Sequence, residues 1–360
     1  MVTAGTTGET AIARPRSHDG TSSIANLLQW LFRKRWNFRC KVGAPTLESA
    51  PRRRLSIWAV ALGAAVAAAW SAFASLGLLG WDPHYYYGLM EDRTWAQVYP
   101  FEQVMFWLVS AFRPSSFASY EFFVIAISLS ILLFAFYRLG YSPLDQLILV
   151  FFFCSSFYGL HFVLTFQRQF FGLVLFLFAV SGRKRSILAR MMSLFSQLFT
   201  FSVHIFWELR RLSARAAAAV ALLIVPVAMV LAGLLPDDKA ANYGAYGVDN
   251  PSHLILKQAL TVGFCLIVLA TLEHGENGLR SLTTAYIAFS LPVMLWPFYA
   301  GVFARLDYFF FPLIVACWPR YVRANRLFLC RASIIGFTAL GFALWMRLNV
   351  QCILINNCIP

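Results

Sequence analysis

Apolar runs separated by short polar turns fill the chain from residue 55 to residue 347. A helix needs about 20 mostly apolar residues to cross the hydrocarbon core of a bilayer. That measure predicts spans over 55–79, 120–137, 144–160, 162–180, 216–235, 254–272, 282–298, 302–318 and 327–347. Two stretches depart from it. Residues 81–119 carry acidic, histidine and tyrosine side chains and read as a long outer loop. Within that loop 101–112 is apolar but too short to cross, and predicts an interfacial or re-entrant helix.

The second departure is 187–212, apolar but flanked by Arg183-Lys184-Arg185 before it and Arg210, Arg211 and Arg215 after it. Cytoplasmic loops of membrane proteins carry the excess of Lys and Arg. Arg52–Arg54 places the start of the first span inside, and Arg138 and Arg183–Arg185 then also fall inside. A single crossing by 187–212 would turn Arg210–Arg215 and Arg320, Arg323, Arg326 and Arg331 outward. Entry and return keeps both clusters in the cytoplasm and puts Asp237, Asp238 and Asp249 outside. The expectation is a broken helix with a nearly full-length first arm. The break falls over 200–204, and a shorter arm starts near Val203. Non-helical backbone at membrane depth is tolerated only where it is buried or lines a watery cavity.

The expected fold is therefore all-α, a polytopic membrane protein of about ten spans plus a re-entrant helix, counted at about 20 residues per span. A basic cytoplasmic tail over 1–54 precedes the membrane domain of 55–347, and a short tail over 348–360 follows it. Composition agrees: of 360 residues 59% are hydrophobic and only 13% charged, with a mean hydropathy of +0.65. A soluble domain carries about a quarter charged residues. The net charge of +14 sits in clusters between apolar runs, which argues against nucleic acid as a partner.

No cleavable signal peptide is visible ahead of Leu55. Residues 24–38 read as a basic amphipathic helix at the membrane surface. A start codon placed upstream of the native one is the competing explanation for 1–50. Of seven cysteines, Cys154, Cys265, Cys317 and Cys330 lie in apolar runs and read as core filler. Cys352 and Cys358 follow the last span, and the sequence leaves their pairing open.

Candidate chemistry gathers toward the outer side. Arg168, followed by Gln169, stands inside an apolar run, fourteen residues before Gly182. A charge at that depth is rare unless it faces a cavity or ligand. Guanidinium grips phosphate through two parallel donors, so a lipid-linked diphosphate fits. The plain alternative is a helix tie to backbone carbonyls. His204 is either a satisfied core histidine or, at a helix break, a proton carrier or hydroxyl partner.

Arg305 and Asp307 stand two apart and do not share a helix face. Arg305, with Tyr308 one turn on, therefore reads as pointing into the same cavity. The loop carboxylates Asp82, Glu91, Asp92 and Glu102 read either as solvated charges or as chemistry, with Asp82 then orienting a tyrosine-rich turn. Glu102 opens the short apolar helix and is the candidate base. Tyr85, Tyr86, Tyr87, Trp81 and Trp95 are either an interfacial belt or a stacking surface for sugar rings. No zinc-ligand cluster, phosphate-binding glycine loop or nucleophile elbow is present.

This layout resembles the EpsG-like, Wzy-type polymerases of bacterial surface polysaccharides. The likeness rests on Trp81-Asp82 with tyrosines after it, then Glu102 before an apolar helix. Arg168-Gln169, the basic turn, the apolar arm with His204, and Arg305 with Tyr308 complete it. It covers roughly 55–345 as spaced short motifs. Glu102 is followed by Gln103-Val104 where the family often has proline-glycine, and the arm after His204 turns polar early.

The resemblance implies a glycosyltransferase of the bacterial inner membrane, acting on its periplasmic side without a metal or soluble cofactor. It would join oligosaccharide repeat units carried on undecaprenyl diphosphate. Arg168, Glu102 and His204 would be catalytic, and Asp82, Tyr85, Gln169, Arg305 and Tyr308 would bind substrate. Membrane lipid, a chain-length regulator and a flippase would be partners. Rival readings are an O-antigen ligase with the same donor, a lipid-linked oligosaccharide flippase or transporter, and a non-catalytic scaffold.

Overall fold

Serines and one glycine punctuate the first helices where the hydrophobic runs begin and end. Ser56 caps helix α1 (Ile57–Ser75), its hydroxyl accepting from the Ala59 amide at 3.2 Å. Ser116 and Ser119 form a reciprocal capping box at the start of α5 (Phe117–Leu139). Such boxes satisfy two amides that the first turn leaves without partners. Gly140 ends α5 at φ +81°, a left-handed cap suited to glycine. Ser142, with Pro143 at the first position, then starts α6 (Pro143–Ser155).

The computed structural model describes residues 54–76, 81–98, 103–164, 167–182, 187–196, 200–232, 251–273, 275–295 and 300–355. These fall in one unit, Arg52–Pro360. Among them the regular elements are all helical. Between α1 and α5 stand α2 (Trp81–Glu91), α3 (Trp95–Val98) and α4 (Val104–Ser110). After α6 come α7 (Phe157–Leu164), α8 (Gln167–Ser181), α9 (Ile187–Leu194), α10 (Phe201–Leu209), α11 (Ala214–Ala232) and α12 (Pro251–Thr271). The chain continues through α13 (Asn277–Leu295) and α14 (Ala300–Cys317) to α15 (Leu327–Ile355).

Among the described residues, three helices are long and apolar enough to cross a membrane: Ile57–Ser75, Phe117–Leu139 and Ala324–Arg347. Several others are apolar but shorter. Large side chains stand exposed on their outer faces, among them Ile57, Trp58, Leu188, Leu223 and Phe328, the last 82% accessible. A water-facing surface does not carry such a girdle. Between lipid-facing helices, close backbone approach replaces the hydrophobic effect as the packing force. Accordingly α1 buries small residues at a spacing of four, Ala59, Gly63 and Ala67, with Gly63 facing Leu129 of α5.

The expected span over 144–160 is two helices. Ser156 is extended (ψ 166°), and α7 starts so close to α6 that a Cβ on Gly159 would collide with the Phe153 carbonyl. Ser155-Ser156 and Gly159 stand at the kink, but hydropathy alone reads through them. The next boundary also moves: α7 continues to Leu164 and α8 starts at Gln167, so Arg168 is the second residue of its helix. The stretch 81–91, expected as loop, is helical, with Tyr86, Leu89 and Met90 buried at helical spacing.

The stretch 187–212 is broken, as its flanking charges required, but differently. The first arm, α9, has only 8 residues, and α10 already runs from Phe201. His204 therefore lies within a helix, and the interruption precedes it. Ser193 Oγ donates to the Gly172 carbonyl at 2.8 Å. Thr200 meets α8 at the same glycine, where a Cβ would come within 2.3 Å of the Thr200 hydroxyl. The tip touches the outer-loop region: the Val104 amide, at the head of α4, donates to the Phe195 carbonyl at 3.4 Å.

Basic turns gather at the opposite end. Gln146 accepts from the Ser56 amide and donates to the Arg54 carbonyl, each at 3.0 Å. Tyr141 OH donates to the Ala316 carbonyl at 2.6 Å, and Arg331 pairs with Asp145 at 2.8 Å. Arg323 Nε donates to the Leu272 carbonyl at 3.1 Å, and Ser281 Oγ to the Leu212 carbonyl at 2.7 Å. The turns near 54, 141, 212, 272 and 318–326 thus lie together. Arg210–Arg211 and Arg320–Arg326 share one end of the helical body, as the entry-and-return reading demands. The expectations on 1–53, Arg183–Arg185, Asp237, Asp238, Asp249 and Cys358 lie outside the described residues.

Candidate functional site

Away from the basic end, α2, α4, α5 and α8 converge on a small core of their own. It contains Tyr86 and Met90 from α2, Val104–Phe106 and Val109 from α4, Tyr120 and Val124 from α5, and Phe171 and Leu175 from α8. Arg168 rises from the first turn of α8 against this core and is 8% exposed. Its guanidinium lies 4.8 Å from the Tyr86 ring centroid. One Nη donates to the Tyr86 hydroxyl at 3.3 Å. A cation over an aromatic face gains about 0.5–2 kcal/mol depending on desolvation. That contact helps hold the guanidinium in place.

Behind Arg168 lies a second layer. Gln167, 1% exposed, donates through Nε2 to both carboxylate oxygens of Glu121 at 2.8 Å. Tyr120 OH, from the neighbouring position on α5, reaches Gln167 Oε1 at 3.5 Å. Glu121 and Tyr120 are fully buried. Gln169 is also buried, and its Oε1 has no hydrogen-bond partner among the described residues. On the exposed side stand Tyr85, half-buried with its ring 5.9 Å from that of Tyr86, and Trp95, stacked at 5.7 Å on Phe106.

Other expected site residues fall elsewhere. His204 packs edge-on against Phe176 at 4.7 Å, and its Nε2 is buried with no partner among the described residues. Phe176 is eight residues beyond Arg168, about 12 Å along the helix. These contacts set His204 deeper than Arg168 and do not bring the two together. Glu102 lies outside the described residues, as do the side chains of Asp82 and Arg305.

Tyr308 belongs to a separate buried network. Its centre is Asp307, whose partner is Lys257 of α12 at 2.7 Å. Asp307 also accepts from Tyr158 OH at 2.8 Å, Tyr286 OH at 2.6 Å and Gln258 Nε2 at 3.2 Å. The Lys257 ammonium lies over the rings of Tyr158, Tyr308 and Phe157 at 4.5, 4.7 and 5.0 Å. A buried charge pair is tolerable when further hydrogen bonds complete it, and here three other helices supply them. The networks are separated by aromatic rings: Phe162 stacks on Phe170 at 5.1 Å and meets Tyr308 at 5.7 Å.

Sequence reasoning missed Glu121, Gln167, Tyr120 and Lys257. Glu121 and Lys257 each stand near the start of an apolar run, where a charge reads as interfacial. The available signal was positional: an acid on α5 and an amide beside Arg168, both facing one small core.

The fold and this site define an all-helical protein with helices able to cross a membrane and a buried arginine set against tyrosines near one end. No family model, curated protein or solved structure matches the chain.

Proposed function

We propose that this chain is a membrane-embedded glycosyltransferase that polymerises oligosaccharide repeat units carried on a lipid diphosphate. In this reading the helices make about ten passages of about 20 residues, with α9–α10 re-entrant. The basic turns face the cytoplasm and the Arg168 end faces the outer leaflet of the bacterial inner membrane. The observation that carries the reading is Arg168 itself, a buried guanidinium on the first turn of a helix. The helix start adds its own positive end, which favours an anion.

The chemistry follows from that placement. A hydroxyl at the non-reducing end of one lipid-linked chain attacks the anomeric carbon of another. The bond to the diphosphate oxygen breaks, and the diphosphate leaves with the electron pair. Arg168 stabilises that developing charge, and Gln169 offers an amide beside it. Tyr85 presents a ring face to the sugars, and Tyr86 backs the guanidinium. Glu102, opening α4 in the sequence, is the candidate acceptor of the hydroxyl proton. His204, one layer deeper, is a core residue in this account, and Tyr308 serves the far side of the aromatic divide.

One observation favours a second reading, a transporter of the same lipid-linked chains. Ion pairs inside spans often line ion or substrate routes, and Lys257–Asp307 is such a pair. The polysaccharide profile of a strain carrying Arg168→Ala separates these readings. The expected result is single repeat units with normal protein levels. Polymer of wild-type length removes the site assignment, and loss of all external saccharide favours transport.

A further inference from the structure

Glu121 takes no part in the reaction as written, yet this buried acid holds Gln167, the residue next to Arg168. We propose that Glu121 is a positioning residue: acting through Gln167, it fixes the first turn of α8 and so presets the Arg168 guanidinium for a diphosphate. This rests on the lipid-diphosphate reading of the site.

The geometry is that of a clamp. Gln167 is the first residue of α8, and its side chain is gripped at both ends by adjacent residues of α5. Its Nε2 donates to both Glu121 oxygens at 2.8 Å, and its Oε1 faces the Tyr120 hydroxyl at 3.5 Å. Glu121 is fully buried, so it does not itself touch a ligand. Arg168 is the next residue, already lying over Tyr86. Two parallel bonds to phosphate need that plane held in place, and a misplacement of about 1 Å can lower a rate roughly a hundredfold.

The test uses the full-length protein in lipid nanodiscs and undecaprenyl diphosphate as the probe, with binding measured by titration. Arg168→Ala is expected to weaken binding about tenfold or more, the scale of one hydrogen bond to a charged group. Glu121→Ala should give a loss of similar size, and Glu121→Gln, which keeps an acceptor for Gln167, a smaller one. The decisive variant is the double Glu121→Ala/Arg168→Ala, which should bind no more weakly than Arg168→Ala alone. Additive losses would mean that Glu121 acts independently of the arginine. Residues joined in one network are non-additive in this way, whereas a general weakening of the fold is not.

Unfolding midpoints of the same samples report folding separately, and Glu121→Gln carries the test if the alanine variant does not fold. Wild-type affinity in both Glu121 variants overturns the positioning role while leaving the arginine site intact. Absence of binding by the wild type overturns the diphosphate reading itself. Equal binding by wild type and Arg168→Ala moves the site elsewhere.

Discussion

Replacing Asp307 by alanine removes the hub of the network joining α7, α12, α13 and α14. The carboxylate is fully buried, and its cationic partner Lys257 has a side chain only 12% exposed. Two effects compete to set the penalty. Neutral hydrogen bonds between membrane helices average about 0.6 kcal/mol each. The bonds from Tyr158, Tyr286 and Gln258 therefore contribute about 2 kcal/mol together. Stranding a buried ammonium costs about 3–5 kcal/mol, so the charge dominates. Asp307→Asn, which keeps the shape and most of the hydrogen bonding, should then be nearly as damaging as Asp307→Ala. The double replacement Lys257→Met/Asp307→Leu should recover most of the stability, because no charge is left behind. Equilibrium unfolding in mixed micelles, followed by tryptophan fluorescence, measures all three. An Asp307→Asn variant of wild-type stability, or a double variant no better than Asp307→Ala, would refute the argument.

Two further outcomes are expected. Gly172→Ala drives a methyl group into the Thr200 hydroxyl, 2.3 Å away; overpacking of this kind costs about 1–3 kcal/mol. Adding Thr200→Ala should restore the unfolding midpoint, and failure to do so would mean that the re-entrant arm is not seated there. Glu276, in the turn between α12 and α13, has its carboxyl raised above the ordinary value of 4.5, first by burial and then by Glu273, with Arg320 opposing. A raised carboxyl loses its contribution to stability as pH climbs through its folded value. Glu276→Gln should therefore be more stable than wild type at neutral pH, with the difference vanishing as pH falls toward 4.5. A difference that widens on acidification would reverse the assignment.

The helical class was legible in the hydrophobic runs, and the shared end of the basic turns was legible in the arginines. A cluster such as Arg210–Arg215 is local in sequence and obeys a rule that holds before any packing. The kink at Ser156 and the start of α8 at Gln167 were not legible, because the pairing of Gly159 with the Phe153 carbonyl is a backbone contact that hydropathy does not report. Arg168 was conspicuous as a cation in a lipid-compatible run. Its setting was hidden because Tyr86 lies 82 positions earlier and Glu121 47 positions earlier in the chain. Spacing separated Asp307 from Arg305 but did not name its partner, which comes from a helix 50 residues upstream. Pairings across such separations follow from packing, which local spacing does not encode.

The central claim is that Arg168 serves an anionic leaving group at the outer end of the helices. Purified protein in nanodiscs, supplied only with an oligosaccharide on undecaprenyl diphosphate, tests it most directly. The account predicts a ladder of lengthened lipid-linked products from the wild type and none from folded Arg168→Ala. An unchanged substrate with the wild type, or an undiminished ladder with Arg168→Ala, would contradict it.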